Sequence, residues 1–144
     1  AAYLLMNRRS WSTAVAEHPN ATLLRRLYDE GNSGATDWAA DALADDIVWT
    51  VPGRGEYAGA HQGKEAVLAF FGRVIPGLES FRIDVHDVIA NDTHAVALVH
   101  YDHRRAGRVF SQLGAEVYHF DAAGKISRFW ALIDDTAAFD EFFG

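Results

Sequence analysis

The chain has 144 residues, 49% apolar and 23% charged, and a formal net charge of −7, which suits a single globular domain with a real core. Its basic residues are scattered apart from the pairs Arg8-Arg9, Arg25-Arg26 and Arg104-Arg105, which argues against a surface that tracks nucleic-acid phosphates, so no nucleic-acid partner is expected. There is no cysteine, hence no disulfide, thiolate ligand or Cys nucleophile, as a cytoplasmic protein would have it, and no apolar run approaches the roughly 20 residues needed to cross a bilayer.

In chain order, "AAYLLMNRRSW" places an apolar patch before arginines, the reverse of a secretory signal. Residues 1–17 read as an N-terminal extension and 18–144 as one domain. "PNATLLRRLYDE" predicts a helix over 19–30, with Leu23, Leu24, Leu27 and Tyr28 at helical spacing, Pro19 near its start and Gly31 at its end. After the loop "GNSGATD", Asp37 is placed to cap a short helix "WAADALADD". "IVWTV" is a β-branched strand stopped by Pro52-Gly53, and the glycine-rich loop "PGRGEYAGAHQG" delivers a helix from Lys64 to about Ile75.

The remainder changes period. "SFRIDVHDVIA", "HAVALVHYDH", "RVFSQLGAEVYHF" and "KISRFWALI" read as four strands joined by the turns "ANDT", "RRAG" and "DAAGK". "DTAAFDEFFG" predicts a closing amphipathic helix. Helices followed by an antiparallel meander make an α+β layout. In the last strand Trp130 and Leu132 alternate with Phe129 and Ile133, so both of its faces need cover. A homodimer through the sheet would supply it.

Four stretches, "LLRRLYDEG", "ADDIVWTVPG", "YAGAHQGKEAVLAFF" and "FDAAGKISRFWALID", resemble in type and order the SnoaL-like branch of the NTF2-like superfamily. The resemblance runs from about His18 to the C-terminus. It implies an NTF2-like cone, in which a curved, mainly antiparallel sheet wraps around the N-terminal helices. The concave face would be a pocket for a small hydrophobic molecule and the convex face a dimer interface. The resemblance is specific for the fold and weakly so for activity, since the superfamily holds ketosteroid isomerases, polyketide cyclases, epoxide hydrolases, dehydratases and non-catalytic binders.

Aligned on the "DAAGK" turn, Glu116 falls where ketosteroid isomerases carry a neutral carboxylic acid that hydrogen-bonds the developing oxyanion. Val51 occupies the place of their general base. Leu27 lies where their helix tyrosine stands, with Tyr28 one residue on, about 100° around the helix. These departures argue against a ketosteroid isomerase. On the resemblance's parity the pocket face carries Leu98, His100 and Asp102 opposite Gln112, Glu116 and Tyr118. His100 would then stand opposite Gln112 or Gly114, close to Glu116. The two could exchange a proton near neutral pH, or simply form a buried polar pair or an ion pair at the dimer interface. Tyr28 or Tyr118 would donate a hydrogen bond, and Trp49, Val51, Phe71, Phe129 and Ile133 would line the pocket with them.

"HYDH" at 100–103 invites a metal, but alternation separates His100 and Asp102 from His103. Two ligands on one face do not make a site, so no metal is expected. His61, His86, His94 and His119 read as loop, edge or surface residues. The expected function is cofactor-independent proton-transfer chemistry (cyclisation, isomerisation or hydration) on a polyketide- or terpenoid-like substrate, with Glu116, His100 and Tyr28 as catalytic groups. The alternatives are a hydrophobic ligand binder without turnover and a protein-binding dimer.

Overall fold

The computed structural model describes residues 16–35 and 37–144. The expected extension lies almost wholly outside the described residues; of it, Glu17 accepts hydrogen bonds from Thr22 and from Arg25 (2.6 Å), at the start of the first helix.

Helix α1 spans Pro19–Asn32. Proline near its N-terminus loses no helical hydrogen bond, and the His18 imidazole accepts from the Asn20 N–H at 3.1 Å. Its buried stripe, Ala21, Leu24, Leu27, Tyr28 and Gly31, follows the three-and-four spacing of an amphipathic helix. Then come β1 (Leu43–Val51), β2 (Gly59–Gln62), α2 (Lys64–Val74), β3 (Ser80–Ala90), β4 (His94–Arg105), β5 (Arg108–Phe120), β6 (Ile126–Ile133) and α3 (Thr136–Phe143). The strands form one sheet in the order β2-β1-β6-β5-β4-β3. All pairs are antiparallel except β1 with β6. The sheet wraps its inner face around α1 and α2, the α+β cone expected from the sequence.

Two elements differ from expectation. The predicted helix over "WAADALADD" does not form: residues 37–42 make turns, and the strand begins at Leu43 rather than Ile47. Alanines favour a helix here, but the Ala42 carbonyl accepts from Ile126 N–H at 2.8 Å and Leu43 stands opposite Ile126. Sheet pairing overrides local propensity. The glycine-rich loop contains β2, whose four residues pair with β1 from Val48 to Val51; a strand that short has no periodicity to read.

The β4–β5 hairpin turns on two residues, Ala106 and Gly107, with φ of 50° and 75°, as a type I′ loop requires. Arg105 therefore stands opposite Arg108, and each residue pair up the hairpin follows from that pair. Parity is then set for both strands. Ala95, Ala97, Val99, Tyr101 and His103 share the inner face with Phe110, Gln112, Gly114, Glu116 and Tyr118. Val96, Leu98, His100 and Asp102 share the outer face with Ser111, Leu113, Ala115 and Val117.

Candidate functional site

Between the helices and the inner face of the sheet lies an apolar cavity of about 130 Å³. It is close in scale to cavities of about 150 Å³ that take up benzene. Trp49, Val51, Phe71, Tyr118, Phe129 and Ile133 all line it, as the sequence suggested. Trp49 and Phe129, register partners on the parallel strands β1 and β6, stack at 3.7 Å with 13° between their planes. Phe71 meets the edge of Trp49 from α2 at 4.9 Å. From α3, Phe139 and Phe143 close another part of the wall.

One polar cluster interrupts this surface. Glu116 is 5% exposed, and three tyrosine hydroxyls surround its carboxyl. Tyr28 from α1 hydrogen-bonds Oε2, Tyr118 reaches Oε2 at 3.1 Å, and Tyr101 donates to Oε1 at 2.8 Å. The hydroxyls of Tyr28 and Tyr118 are themselves 2.8 Å apart. The Tyr118 hydroxyl can share its proton between Tyr28 and Glu116. Burial pushes Glu116 above the ordinary carboxylate range, against the tyrosine hydrogen bonds that lower it. Burial, reinforced by any charge on Glu116, raises all three tyrosines, which stay protonated.

Tyr101 stands opposite Gln112, not Glu116, and reaches the carboxyl by lying over Gly114. A Cβ there would meet Tyr101 Cε2 at 2.6 Å and the Leu132 carbonyl at 3.1 Å. Gly114→Ala is therefore expected to lift the ring off Glu116. The cost would be about 2 kcal/mol, from overpacking and one lost hydrogen bond to a buried group. Urea unfolding measures it, and an unchanged midpoint would show that the ring does not need this space.

Several expected site residues lie elsewhere. His100 is on the outer face, where Nε2 meets Ser111 Oγ at 3.1 Å, so it cannot exchange a proton with Glu116. Leu98 and Asp102 are outside the cavity for the same reason. An even, two-residue loop puts His100 opposite Leu113, one position from the expected pairing, and one position on a strand exchanges the faces. Gln112 has inner-face parity but does not line the cavity. Its side chain instead accepts from the Asp135 N–H (2.7 Å) and donates to the Asp135 carbonyl (3.2 Å), holding the start of α3.

Sequence reasoning missed Tyr101 and His103, both of which line the cavity. The signal was the two-residue loop, which alone reverses the parity of β4. Tyr28, one residue from the aligned position, still delivers its hydroxyl, because α1 buries Leu27 and Tyr28 together.

His103 is 4% exposed. Its ring stacks on Phe81 at 4.7 Å with 8° between the planes. Burial pushes its imidazole down to about 4, with Asp102's backbone and carboxylate pulling weakly the other way, so it is neutral at pH 7. Among the described residues, no three metal-ligating side chains gather.

A profile of the SnoaL-like domain matches residues 24–129. A sequence search of curated proteins finds no match. Among solved structures, Bal32a from a soil-derived mobile gene cassette is 28% identical with a TM-score of 0.79, covering 87% of this chain and 96% of its own. A Rhodopseudomonas palustris protein provisionally described as an isomerase is 26% identical with a TM-score of 0.67, covering 88% and 94%. A Xanthomonas campestris protein of unknown function with a cystatin-like fold is 19% identical with a TM-score of 0.79, covering 88% and 99%.

Proposed function

This chain belongs to the SnoaL-like domain family, and from that membership we propose that it is a cofactor-independent enzyme acting on a small, hydrophobic carbonyl compound. The observation that carries the reading is the buried Glu116, its pKa raised by burial, among three tyrosine hydroxyls in a mainly apolar cavity. Such a cluster stabilises an oxygen that gains negative charge, because its donors are already oriented and water does not compete. Val51 leaves the wall without a carboxylate base, and His103 is not aimed as one, since its Nδ1 accepts the Arg82 N–H.

Polarising an oxygen is then the main demand on the protein, and the substrate supplies the nucleophile. Intramolecular ring closure fits. The enol carbon of the substrate bonds to its carbonyl carbon, the carbonyl oxygen gains the Glu116 proton, and the enol proton returns to Glu116 through a tyrosine hydroxyl. The cavity volume suits one six-membered ring; a polycyclic or terpenoid skeleton would require Phe139 and Phe143 to move.

A test uses two isosteres and one substrate. Cyclohexanone should quench tryptophan emission and raise Tm, while methylenecyclohexane, which lacks the oxygen, should bind about ten-fold more weakly. Heptane-2,6-dione, through its enol, should close to 3-hydroxy-3-methylcyclohexanone faster than in buffer. Equal binding of the two isosteres would overturn the carbonyl reading. Carbonyl-selective binding without turnover would favour a ligand binder, a reading to which the missing base also lends support.

The same proposal includes a homodimer through the outer face. Ile89, Val96, Val117 and Trp130 form one register row across four strands, and Leu98, Ala115 and Leu132 form the next. Leu113 and Leu132 are 68% and 61% exposed, and an apolar patch of that continuity marks an interaction surface. Leu132→Asp is expected to convert a dimer at micromolar concentration into a monomer in sedimentation velocity. A wild-type monomer would refute the dimer.

A further inference from the structure

The cavity has a second polar group that the carbonyl site does not use. His103 is held by two sets of contacts that leave one ring nitrogen free. Phe81 stacks on one side, and Phe110 lies nearly parallel, 6.1 Å away and 21° between planes. Nδ1 accepts from the Arg82 N–H at 3.3 Å, which places the ring proton on Nε2. Among the described residues Nε2 has no hydrogen-bond partner, and it is not sealed in the protein, since the fully enclosed side-chain polar atom that lacks a partner there is Trp38 Nε1. The His103 side chain lines the cavity, so a ligand atom can meet Nε2–H.

We propose that His103 Nε2–H is a second anchor in the cavity, and that the substrate carries a second, uncharged hydrogen-bond acceptor on the part of the molecule remote from the oxygen held at Glu116. Tyr101 and His103 lie two residues apart on the same face of β4, so the two polar groups are served by one strand. Tyr101 leans away over Gly114 to Glu116, while His103 packs with Phe81. A substrate with one oxygen would satisfy only one of the two. The class implied is a dicarbonyl or keto-ether of single-ring size. A carboxylate does not suit it: the ring is neutral, and no cationic side chain lines the cavity among the described residues.

The inference rests on the reading of this cavity as a carbonyl site, and the test separates the two. Cyclohexanone, cyclohexane-1,4-dione and 4-acetylcyclohexanone are titrated against the wild-type chain and His103→Phe, which keeps the aromatic stack. At least one of the two-acceptor probes should bind the wild type about five-fold tighter than cyclohexanone, and His103→Phe should erase that margin without weakening cyclohexanone. Because His103→Phe could fold poorly, the wild type is also followed by ¹⁵N NMR of its histidines. The His103 proton should reside on Nε2, and its resonance should move with the two-acceptor probe and not with cyclohexanone. Cyclohexanone binding with no gain for either two-acceptor probe, or a ring proton found on Nδ1, overturns this inference and leaves the carbonyl site intact. Failure of all three probes to bind overturns both.

Discussion

Glu116→Gln is expected to fold as the parent does and to lose about 10²–10³-fold in turnover of heptane-2,6-dione, the usual cost of one oriented donor to a developing oxyanion. The amide matches a protonated carboxyl in shape and still bonds the tyrosines, but it cannot give up a proton. The pH dependence makes the comparison sharper. Burial raises the folded-state pKa of Glu116 above its unfolded value. Its contribution to stability is therefore fully present below the ordinary carboxylate pKa and is lost as pH rises through the folded value. Glutamine has no such dependence, so Glu116→Gln should gain in stability on the parent as pH is raised from 5 towards 9. Urea unfolding across that range measures it. A variant that instead loses ground at high pH would mean that the carboxyl is ionised in the fold. Glu116→Ala is expected to behave differently, losing more than about 3 kcal/mol, because three buried hydroxyls are orphaned together.

His103 governs the acid side. Its folded-state pKa is depressed from 6.5 to about 4, so its contribution is fully present above the unfolded pKa and is lost as pH falls through the folded one. The shift corresponds to about 3 kcal/mol over that window. His103→Phe removes this dependence. At pH 7 the variant should be less stable by about 1 kcal/mol, having lost the bond to the Arg82 N–H. Between pH 6 and 4 the order should invert, because only the parent has a buried imidazole that resists protonation. Parallel stability curves for the two chains down to pH 4 would show that the ring reaches solvent and protonates without opening the fold.

Much of the architecture was legible because it is written in periodicity. The stripe from Ala21 to Gly31, the alternation of β3 to β6 and the turns between them are local patterns that burial on one face imposes. In α2 the buried Val67, Phe70 and Phe71 follow the same helical spacing. The stretch at 38–46 was misread because its alanines obey a local preference that a distant strand, through Ile126, overrides. β2 was invisible because its pairing with β1 is its only reason to be a strand.

For the site, the sequence by itself determined that Glu116 and Tyr118 share a face, since residues two apart on a strand always do, and that the surrounding residues are aromatic. It could not determine which residues of β4 join them. That depended on whether the turn after Arg105 spans an even or an odd number of residues, and on Ala106 accepting a positive φ beside Gly107. The choice put Tyr101 and His103 inside and His100 outside. The raised pKa of Glu116 was likewise decided only by tertiary structure. Tyr28, Tyr101 and Tyr118 come from one helix and two strands, and the low-polarity space that pushes the carboxyl's pKa up exists only once those elements close around it.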